Sequence, residues 1–550
     1  MPLSLAAARV KLKDLAICLA LGNLGFLERW YDLEQTHARS INYFREGPAD
    51  QTLLISTLIA STLLGLVFWL LWLAVQTWGG ERLRLLARCG FLALLILCLE
   101  PTRQLAAHKG VQPIWSLLSG LEIVLVVGLG LAASGNYMVL RAARIATYSL
   151  IFLLPGVLVD FIWFHPGSEP VSSFLPEPSA PVLSPRATSS GKPAPRLVWM
   201  IFDELDQRIA FDARPDSVHM PELDRLRAES VIANHVSQVA NMTDLAIPTL
   251  LMGHPLVSAK LEGANTVLVQ PAGSSVWADL KEGPNIFRRV RALGVNTAIA
   301  GWHFPYCRMY GDDVTHCMAT SGGVPEALRP ERQAAALGVL RTVSFLFQLR
   351  WAALTGLADA NGKDREQEIL ASQAQRRQLA QFKLIHSRAM ADALDQRIGM
   401  LFVHFPTPHP FAIYDRERGD FSVRDDNSYL DNLALVDRTV GNMRRALEAG
   451  GLWDSTTLLI SGDHGLRPSM WRGGYNWTPE IEQMSGDASA NVPFILKLAG
   501  TSKGAVYDEP FSSLLSGDVA LAVLSGEVST EEQMLQWIAR RASIASTSAQ

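Results

Sequence analysis

Cysteine is scarce in this chain, five among 550 residues, and no pair has the spacing of a zinc finger or ribbon. A structural zinc site built on thiolates is thereby excluded. A basic excess is also missing: the net charge is −4 and the isoelectric point about 6.3. No positive field is offered to nucleic acid, so nucleic acid is not an expected partner. Charge itself is absent from residues 51–80, QTLLISTLIASTLLGLVFWLLWLAVQTWGG. A buried core helix needs only ~10–14 apolar residues, whereas ~20 cross a bilayer. This run is long enough to cross.

Nearly all the long apolar runs lie before residue 165. Residues 15–27, 83–99, 123–140 and 145–159 supply four further candidate spans, giving an expected bundle of five over residues 1–164. Arg9, Lys11 and Lys13 precede the first span, and Arg82, Arg84 and Arg88 lie between the second and third. Arg141 and Arg144 lie between the fourth and fifth. Cytoplasmic placement of those segments puts the amino terminus inside, and an odd number of spans puts everything after residue 165 outside. Arg29, Arg39 and Arg45 in the loop at 28–50 oppose that assignment, though acidic residues accompany them. The first span reads as an uncleaved anchor. The expected location is therefore a bacterial-type inner membrane, multi-pass, with the distal domain on the periplasmic side.

Cys18, Cys89 and Cys98 sit in apolar runs and read as packing residues. Cys307 and Cys317 stand ten apart, and in an oxidising compartment they can close a small loop or remain two thiols. Residues 165–196 are dense in Pro and Ser and read as an extended linker. From 197 to 550 a different grammar begins. LVWMIF (197–202), NTAIAG, MLFVHF (400–405), TTLLIS (456–461) and VPFILK (492–497) are unalternating apolar runs of strand length. Such runs mark strands buried on both faces. Helical stretches such as PELDRLRAES and YLDNLALVDRTVGNMRRALEAGG separate them, so an α/β domain with a mainly parallel sheet is expected.

Ligands of such sheets gather beyond the carboxyl ends of the strands. Asp203 and Glu204 follow the first strand. His404 ends another and His409 follows it, and Asp463 and His464 follow a third within GDHG. Alone, Asp203-Glu204 reads as a turn or cap and His409 as a loop histidine, whereas Asp-His-Gly after a buried strand is a stronger signal because Gly lets the chain turn while both side chains face the site. Three strand ends delivering carboxylates and imidazoles to one edge point instead to a divalent metal, Zn²⁺ first and Mn²⁺ second. Thr243 opens TDLAIPTLLMG, where a Thr suits a helix cap and Asp244 suits the first turn. Beside a cation, the same hydroxyl at a helix start can be deprotonated and attack phosphorus. His303, Tyr306 and Arg308 in GWHFPYCRMYG also follow a strand, and they either line the substrate pocket or pack a long loop tied by Cys307.

With these motifs in hand, residues 196 to about 500 resemble the alkaline phosphatase superfamily in its sulfatase-like branch. Within it they look most like the membrane-bound phosphoethanolamine and phosphoglycerol transferases. Thr243 lies five residues before Pro248, as the transferase nucleophile does, and Gly253 lies ten beyond Thr243, the spacing of the sulfatase motif. The resemblance implies Glu204, Thr243, Asp463 and His464 as metal ligands, with Asp203 an additional one. It implies His409 as a phosphate or second-metal contact. Thr243 replaces the Cys or Ser that sulfatases oxidise, and Ile247 replaces their Arg, so sulfate-ester hydrolysis is not expected. The transferases' cysteine pairs around the nucleophile are absent, and Asn476 stands where they carry a His. Arg467 and Arg472 occupy that loop, where guanidinium groups can hold a phosphate or an anionic headgroup, alongside His404 and His303.

The expected activity is transfer of a phospho-headgroup from a phospholipid of the bilayer to an envelope lipid or glycan, through a covalent phosphothreonine. Two alternatives stand beside it. One is a hydrolase using water as acceptor, and the other a non-catalytic membrane protein that keeps the fold for binding or assembly.

Overall fold

The computed structural model describes residues 5–26, 49–87, 180–184, 194–261, 266–320, 365–424, 426–472, 477–485, 490–501 and 503–547, with single positions or short stretches at 127 and between 340 and 348. Two compact units emerge. One gathers residues 1–38, 47–172 and 327–370, and the other residues 39–46, 173–326 and 371–550. The first unit is thus not contiguous in sequence. It recruits a segment from within what reads, by sequence, as the distal domain.

In the first unit, helices α1 (Leu5–Leu24) and α2 (Ala49–Trp78) pack along each other. The backbones meet through small residues: a Cβ on Gly22 would lie 2.2 Å from the Ser61 carbonyl, and one on Gly65 would lie 2.7 Å from the Leu19 Cα. Close approach through glycine is how helices associate where no water drives burial. The Trp72 indole N–H donates to the Asp14 carboxylate at 3.0 Å. From about 300 residues further along the chain, Val343 and Leu346 join Phe26 and Ala60 in a small apolar cluster. Among the described residues one helix, Leu54–Trp78, is long and apolar enough to cross a membrane, with mean hydropathy 2.3 over its most apolar part. Its 25 residues extend about 37 Å at ~1.5 Å each, more than the ~30 Å hydrocarbon thickness. Leu70 and Leu71 on it are more than half exposed, as lipid-facing residues would be. The expected spans at 123–140 and 145–159, most of the one at 83–99 and most of the linker lie outside the described residues.

The second unit is built on an eight-stranded sheet. Its strands are β1 (Arg196–Phe202), β2 (Val231–Ala233), β3 (Thr297–Trp302), β4 (His316–Thr320), β5 (Met400–Phe405), β6 (Thr456–Gly462), β7 (Phe494–Lys497) and β8 (Ala505–Tyr507). Their order is β8-β2-β7-β6-β1-β5-β3-β4. From β6 through β1, β5 and β3 to β4 every pairing is parallel; β7 runs antiparallel to both neighbours.

Residues of β1 alternate between two cores. Leu197, Trp199 and Ile201 enter one, and Val198, Met200 and Phe202 the other. Helices therefore cover both faces, and this explains why the central strands read as continuous apolar runs rather than as alternating ones. The covering helices include α3 (Pro221–Ala228), α4 (Thr243–Met252), α5 (Ile286–Ala292), α6 (Arg365–Leu394) and α7 (Tyr429–Ala449). Asn285 caps α5 by accepting from the Arg288 N–H at 2.8 Å, and a Ser428–Asp431 capping box starts α7. Helix α6 has no counterpart among the helical stretches read from sequence. Its buried Phe382, Ile385 and Ala389 pack on the sheet.

Candidate active site

Strands β1, β5 and β6 are adjacent and parallel, so their carboxyl ends deliver residues to one crevice. Asp203, His404, Asp463 and His464 meet there, all with no exposed surface. One ligand atom each from Asp203, His404 and Asp463 falls within 4.8 Å of the others. His464 Nε2 stands 3.6 Å from Asp203 Oδ1 and 3.5 Å from Asp463 Oδ2. Asp203 Oδ1, Asp463 Oδ2 and His404 Nε2 are buried and lack any hydrogen-bond partner. Three orphaned polar atoms, two carboxylate oxygens and an imidazole nitrogen, form a donor set that a divalent cation fits. Burial by itself would raise the Asp203 carboxyl, but the imidazoles of His409, His404 and His464 outweigh it and hold the group well below the usual carboxylate range.

The sequence around each residue explains its aim. Tyr306 lies over Gly301, where a Cβ would come within 2.2 Å of its ring. Its hydroxyl thereby reaches His404 Nδ1 at 2.8 Å and directs Nε2 toward the carboxylates. The Asp463 carboxylate is fixed by the backbone N–H groups of His464 at 2.8 Å and Glu204 at 3.1 Å. The loop after β6 is tied down by Gln238, which accepts from the Gly465 N–H, and by Asp206, which accepts from the Leu466 N–H.

Thr243 is the first residue of α4, and Met242 holds the cap position without any side-chain cap bond. The threonine hydroxyl is therefore not spent on capping, contrary to the reading of the sequence alone. It donates to Asp203 Oδ2 at 3.1 Å and stands 3.2 Å from His464 Nε2. Gly253 ends the helix in the left-handed conformation, φ 77°.

Thr243 opens onto a pocket of about 320 Å³. Its wall includes Asp244, Trp302, His303, His409 and Arg467, and, from α6, Arg377 and Gln378. His303 Nε2 meets Asp244 Oδ1 at 3.1 Å; burial lowers its proton affinity, but the Asp244 carboxylate more than compensates and raises it. Both His303 (φ 67°) and Glu204 (φ 63°) hold left-handed backbone conformations, which cost side-chain-bearing residues about 1–3 kcal/mol and cluster at functional sites. Cys307 and Cys317 form a disulfide beside this wall.

Three residues stand elsewhere than the sequence implied. Glu204, the implied first acidic ligand, is outside the cluster. Its Oε1 accepts from Arg467 Nε at 2.6 Å and its Oε2 from the Trp471 indole at 2.7 Å. Asp203 supplies the carboxylate from that turn. Arg472, expected at the substrate, is half-exposed and pairs with Glu482 at 2.6 Å, away from the pocket lining. His404, expected at the substrate, is a member of the cluster. Sequence reasoning does not reach Trp471, the Asp244 carboxylate as a wall group, or the α6 wall. Only the four-residue interval from Arg467 to Trp471, one turn of helix, hints at a shared face.

Residues 195–523 match the sulfatase family model, more than half of the chain. No curated protein sequence matches the chain. Among solved structures, the Ps i-CgsB complex with k-i-k-neocarrahexaose is 16% identical, covering 62% of this chain and 74% of that one, with TM-score 0.40. The PsFucS1 sulfatase of Pseudoalteromonas sp. is 15% identical over 60% of this chain and 68% of that one, TM-score 0.38. The lipoteichoic acid synthase LtaP of Listeria monocytogenes is 13% identical over 60% and 72%, TM-score 0.33.

Proposed function

Because the chain belongs to the sulfatase family, of the alkaline phosphatase superfamily, we propose that it is a metal-dependent phosphotransferase. It would move a phosphoethanolamine- or phosphoglycerol-like headgroup from a membrane phospholipid to an envelope lipid or glycan. The observation that carries this reading is the Thr243 hydroxyl, which lies between Asp203 and His464 on a residue that lines the pocket. A threonine cannot be oxidised to the aldehyde on which sulfatases depend, whereas its hydroxyl can carry a phosphoryl group.

Asp203, Asp463, His404 and His464 would hold the metal together with the Thr243 oxygen, Zn²⁺ being the first choice for that donor set. When bound, such a cation lowers the pKa of a neighbouring hydroxyl and offsets charge on a phosphoryl oxygen. The residues themselves do the rest. Asp203 orients the Thr243 hydroxyl. The Thr243 oxygen forms a bond to phosphorus as the bond from phosphorus to the lipid oxygen breaks, and the hydroxyl proton ends on the departing lipid alcohol. His303, backed by Asp244, is the wall imidazole able to pass that proton. The acceptor's hydroxyl oxygen then bonds to phosphorus as the bond from phosphorus to the Thr243 oxygen breaks, and the acceptor's proton returns to that oxygen. The apolar helix Leu54–Trp78 supports attachment of the chain to the bilayer that would hold the lipid donor, and the reading takes the catalytic unit to be periplasmic.

The test is mass spectrometry of the Thr243 peptide after incubation with headgroup-labelled phospholipid. A headgroup phosphate on Thr243 that moves to added lipid or glycan is the expected result. Release of headgroup phosphate to water alone would make the enzyme a hydrolase, and turnover with no adduct at Thr243 under any quench would overturn the assignment.

A further inference from the structure

We infer that Glu204 is a positioning residue for Arg467 and not a ligand of the metal. Its role would be to hold the guanidinium beside Thr243, where the remaining N–H groups meet the oxygens of a tetrahedral phosphate or sulfate ester. This rests on the proposed active site and deepens it.

Both oxygens of Glu204 are occupied, by Arg467 Nε at 2.6 Å and by the Trp471 indole N–H at 2.7 Å. The orphaned atoms of the site belong to Asp203, His404 and Asp463, and Glu204 contributes none. Its backbone is pinned on both sides. The N–H donates to Asp463 Oδ1 at 3.1 Å, and the carbonyl accepts from the Tyr429 hydroxyl at 2.7 Å. The left-handed φ of 63° between those anchors fixes the direction of the side chain. Trp471 and Glu204 are fully buried, whereas the Arg467 side chain keeps 22% of its surface and lines the pocket with Thr243, His303 and His409. A guanidinium held through Nε presents its two terminal nitrogens as a fork, the geometry suited to paired oxygens of a phosphate. A carboxylate wholly removed from water next to Asp203 and Asp463 also requires a cation of its own, and Arg467 supplies it.

The experiment measures two equilibria on the full-length protein in detergent, neither of which needs turnover. One is Zn²⁺ and Mn²⁺ affinity by competition with a chromophoric chelator. The other is inorganic phosphate affinity by calorimetry on the metal-loaded protein. Glu204→Gln should keep metal affinity within about 3-fold of the parent, while Asp463→Asn loses it by 100-fold or more. The same Glu204→Gln should weaken phosphate about 10-fold. Arg467→Ala should weaken it at least as much, Arg467→Lys should not restore it, and the double variant Glu204→Gln/Arg467→Ala should be no weaker than Arg467→Ala alone.

Loss of metal in Glu204→Gln comparable to that in Asp463→Asn would overturn the inference, as would additive losses of phosphate affinity in the double variant. Should Glu204→Gln not fold, Trp471→Phe decides, since it removes one of the two donors. It should weaken phosphate and spare the metal, and the reverse pattern would overturn the inference. Failure to find phosphothreonine at Thr243 would strike the proposed reaction and leave both of these equilibria standing.

Discussion

Behind Thr243, outside the pocket lining, lies a floor of Asp203, His404 and Asp463, each with a buried polar atom that lacks a hydrogen-bond partner. The wall is made of completed pairs: Asp244 with His303, Glu204 with Arg467 and Trp471, Trp302 with Gln381. An orphaned buried polar atom costs about 1–3 kcal/mol, so three together persist only where something else in the native ensemble compensates them. The wall needs no such compensation. The contrast separates a cluster that could hold a divalent cation from a wall whose polar groups are already paired, and it makes different demands on the two.

Thr243 stands at the junction of floor and wall, and its removal has the largest expected effect. Thr243→Ala should lower turnover by about 10⁴-fold, equivalent to about 5.5 kcal/mol of transition-state stabilisation. Melting temperature should stay close to the parent's because α4 is kept, and metal content should stay close to it because Asp203, Asp463, His404 and His464 remain. Steady-state assays alongside elemental analysis check this. Activity within tenfold of the parent would remove Thr243 from the chemistry.

The floor should respond to cation and the wall should not. A divalent metal at about 100 to 1,000 times its dissociation constant should stabilise the folded second unit by about 3–4 kcal/mol, read as a rise in melting temperature that chelation reverses. His404→Ala should shrink that rise, since it deletes one of the three clustered ligands. Arg472→Ala should leave it intact, since Arg472 pairs with Glu482 on the surface. A rise that survives His404→Ala undiminished would detach His404 from the floor.

Much of this contrast is legible in the sequence on the floor side and little on the wall side. Asp463 and His464 are legible because a buried parallel strand and a Gly-bounded turn place them by local rules. Thr243 is legible as a hydroxyl at a helix start, though its freedom from capping emerges only once Met242 takes the cap position. The orientation of Glu204 is not legible. Its partners Arg467 and Trp471 lie 263 and 267 residues away, so whether its carboxylate faces the metal or the guanidinium is decided by packing of β1 against the loop after β6. The α6 wall is hidden for the same reason. Arg377 and Gln378 acquire meaning only against Trp302 and His409 across the pocket. The membership of residues 327–370 in the first unit likewise rests on contacts such as that of the Phe347 ring with Phe26, which no local pattern announces.

The wall's one covalent tie among the described residues is the next lever. Cys307 follows Tyr306, the residue that aims His404, and the disulfide to Cys317 closes a loop of ten residues. By loop-closure entropy such a link stabilises the fold by about 2–3 kcal/mol. Cys307→Ser/Cys317→Ser should lower the unfolding free energy by that amount in denaturant titration, and the metal-induced rise in melting temperature should survive. If the rise vanished with the disulfide, floor and wall would be one cooperative element, and the distinction between them would fail.

A buried carboxylate outside the site shows what the floor's imidazoles accomplish. Asp437 on α7 accepts from the Leu223 N–H at 2.8 Å, and its pKa is pushed up to about 6, chiefly by burial and then by Glu222 and Asp224. Asp203, more deeply buried still, is held low because His409, His404 and His464 face it. The sign of the consequence follows from proton uptake. With its folded pKa above its unfolded one, Asp437 imposes no penalty below about pH 4, where both states are protonated. Folded stability is then lost as pH rises through about 6, because the unfolded chain releases its proton first. Asp437→Asn keeps the acceptor for Leu223 and removes the titration. Its stability relative to the parent should therefore grow by about 1–2 kcal/mol between about pH 4 and pH 7, given that each tenfold change in proton affinity is worth ~1.4 kcal/mol and that solvent reaches part of the group. Denaturant unfolding across that range at fixed ionic strength measures it. A flat difference would mean that Asp437 gains from its surroundings what Asp203 gains from its imidazoles, and burial alone would then not distinguish the two carboxylates.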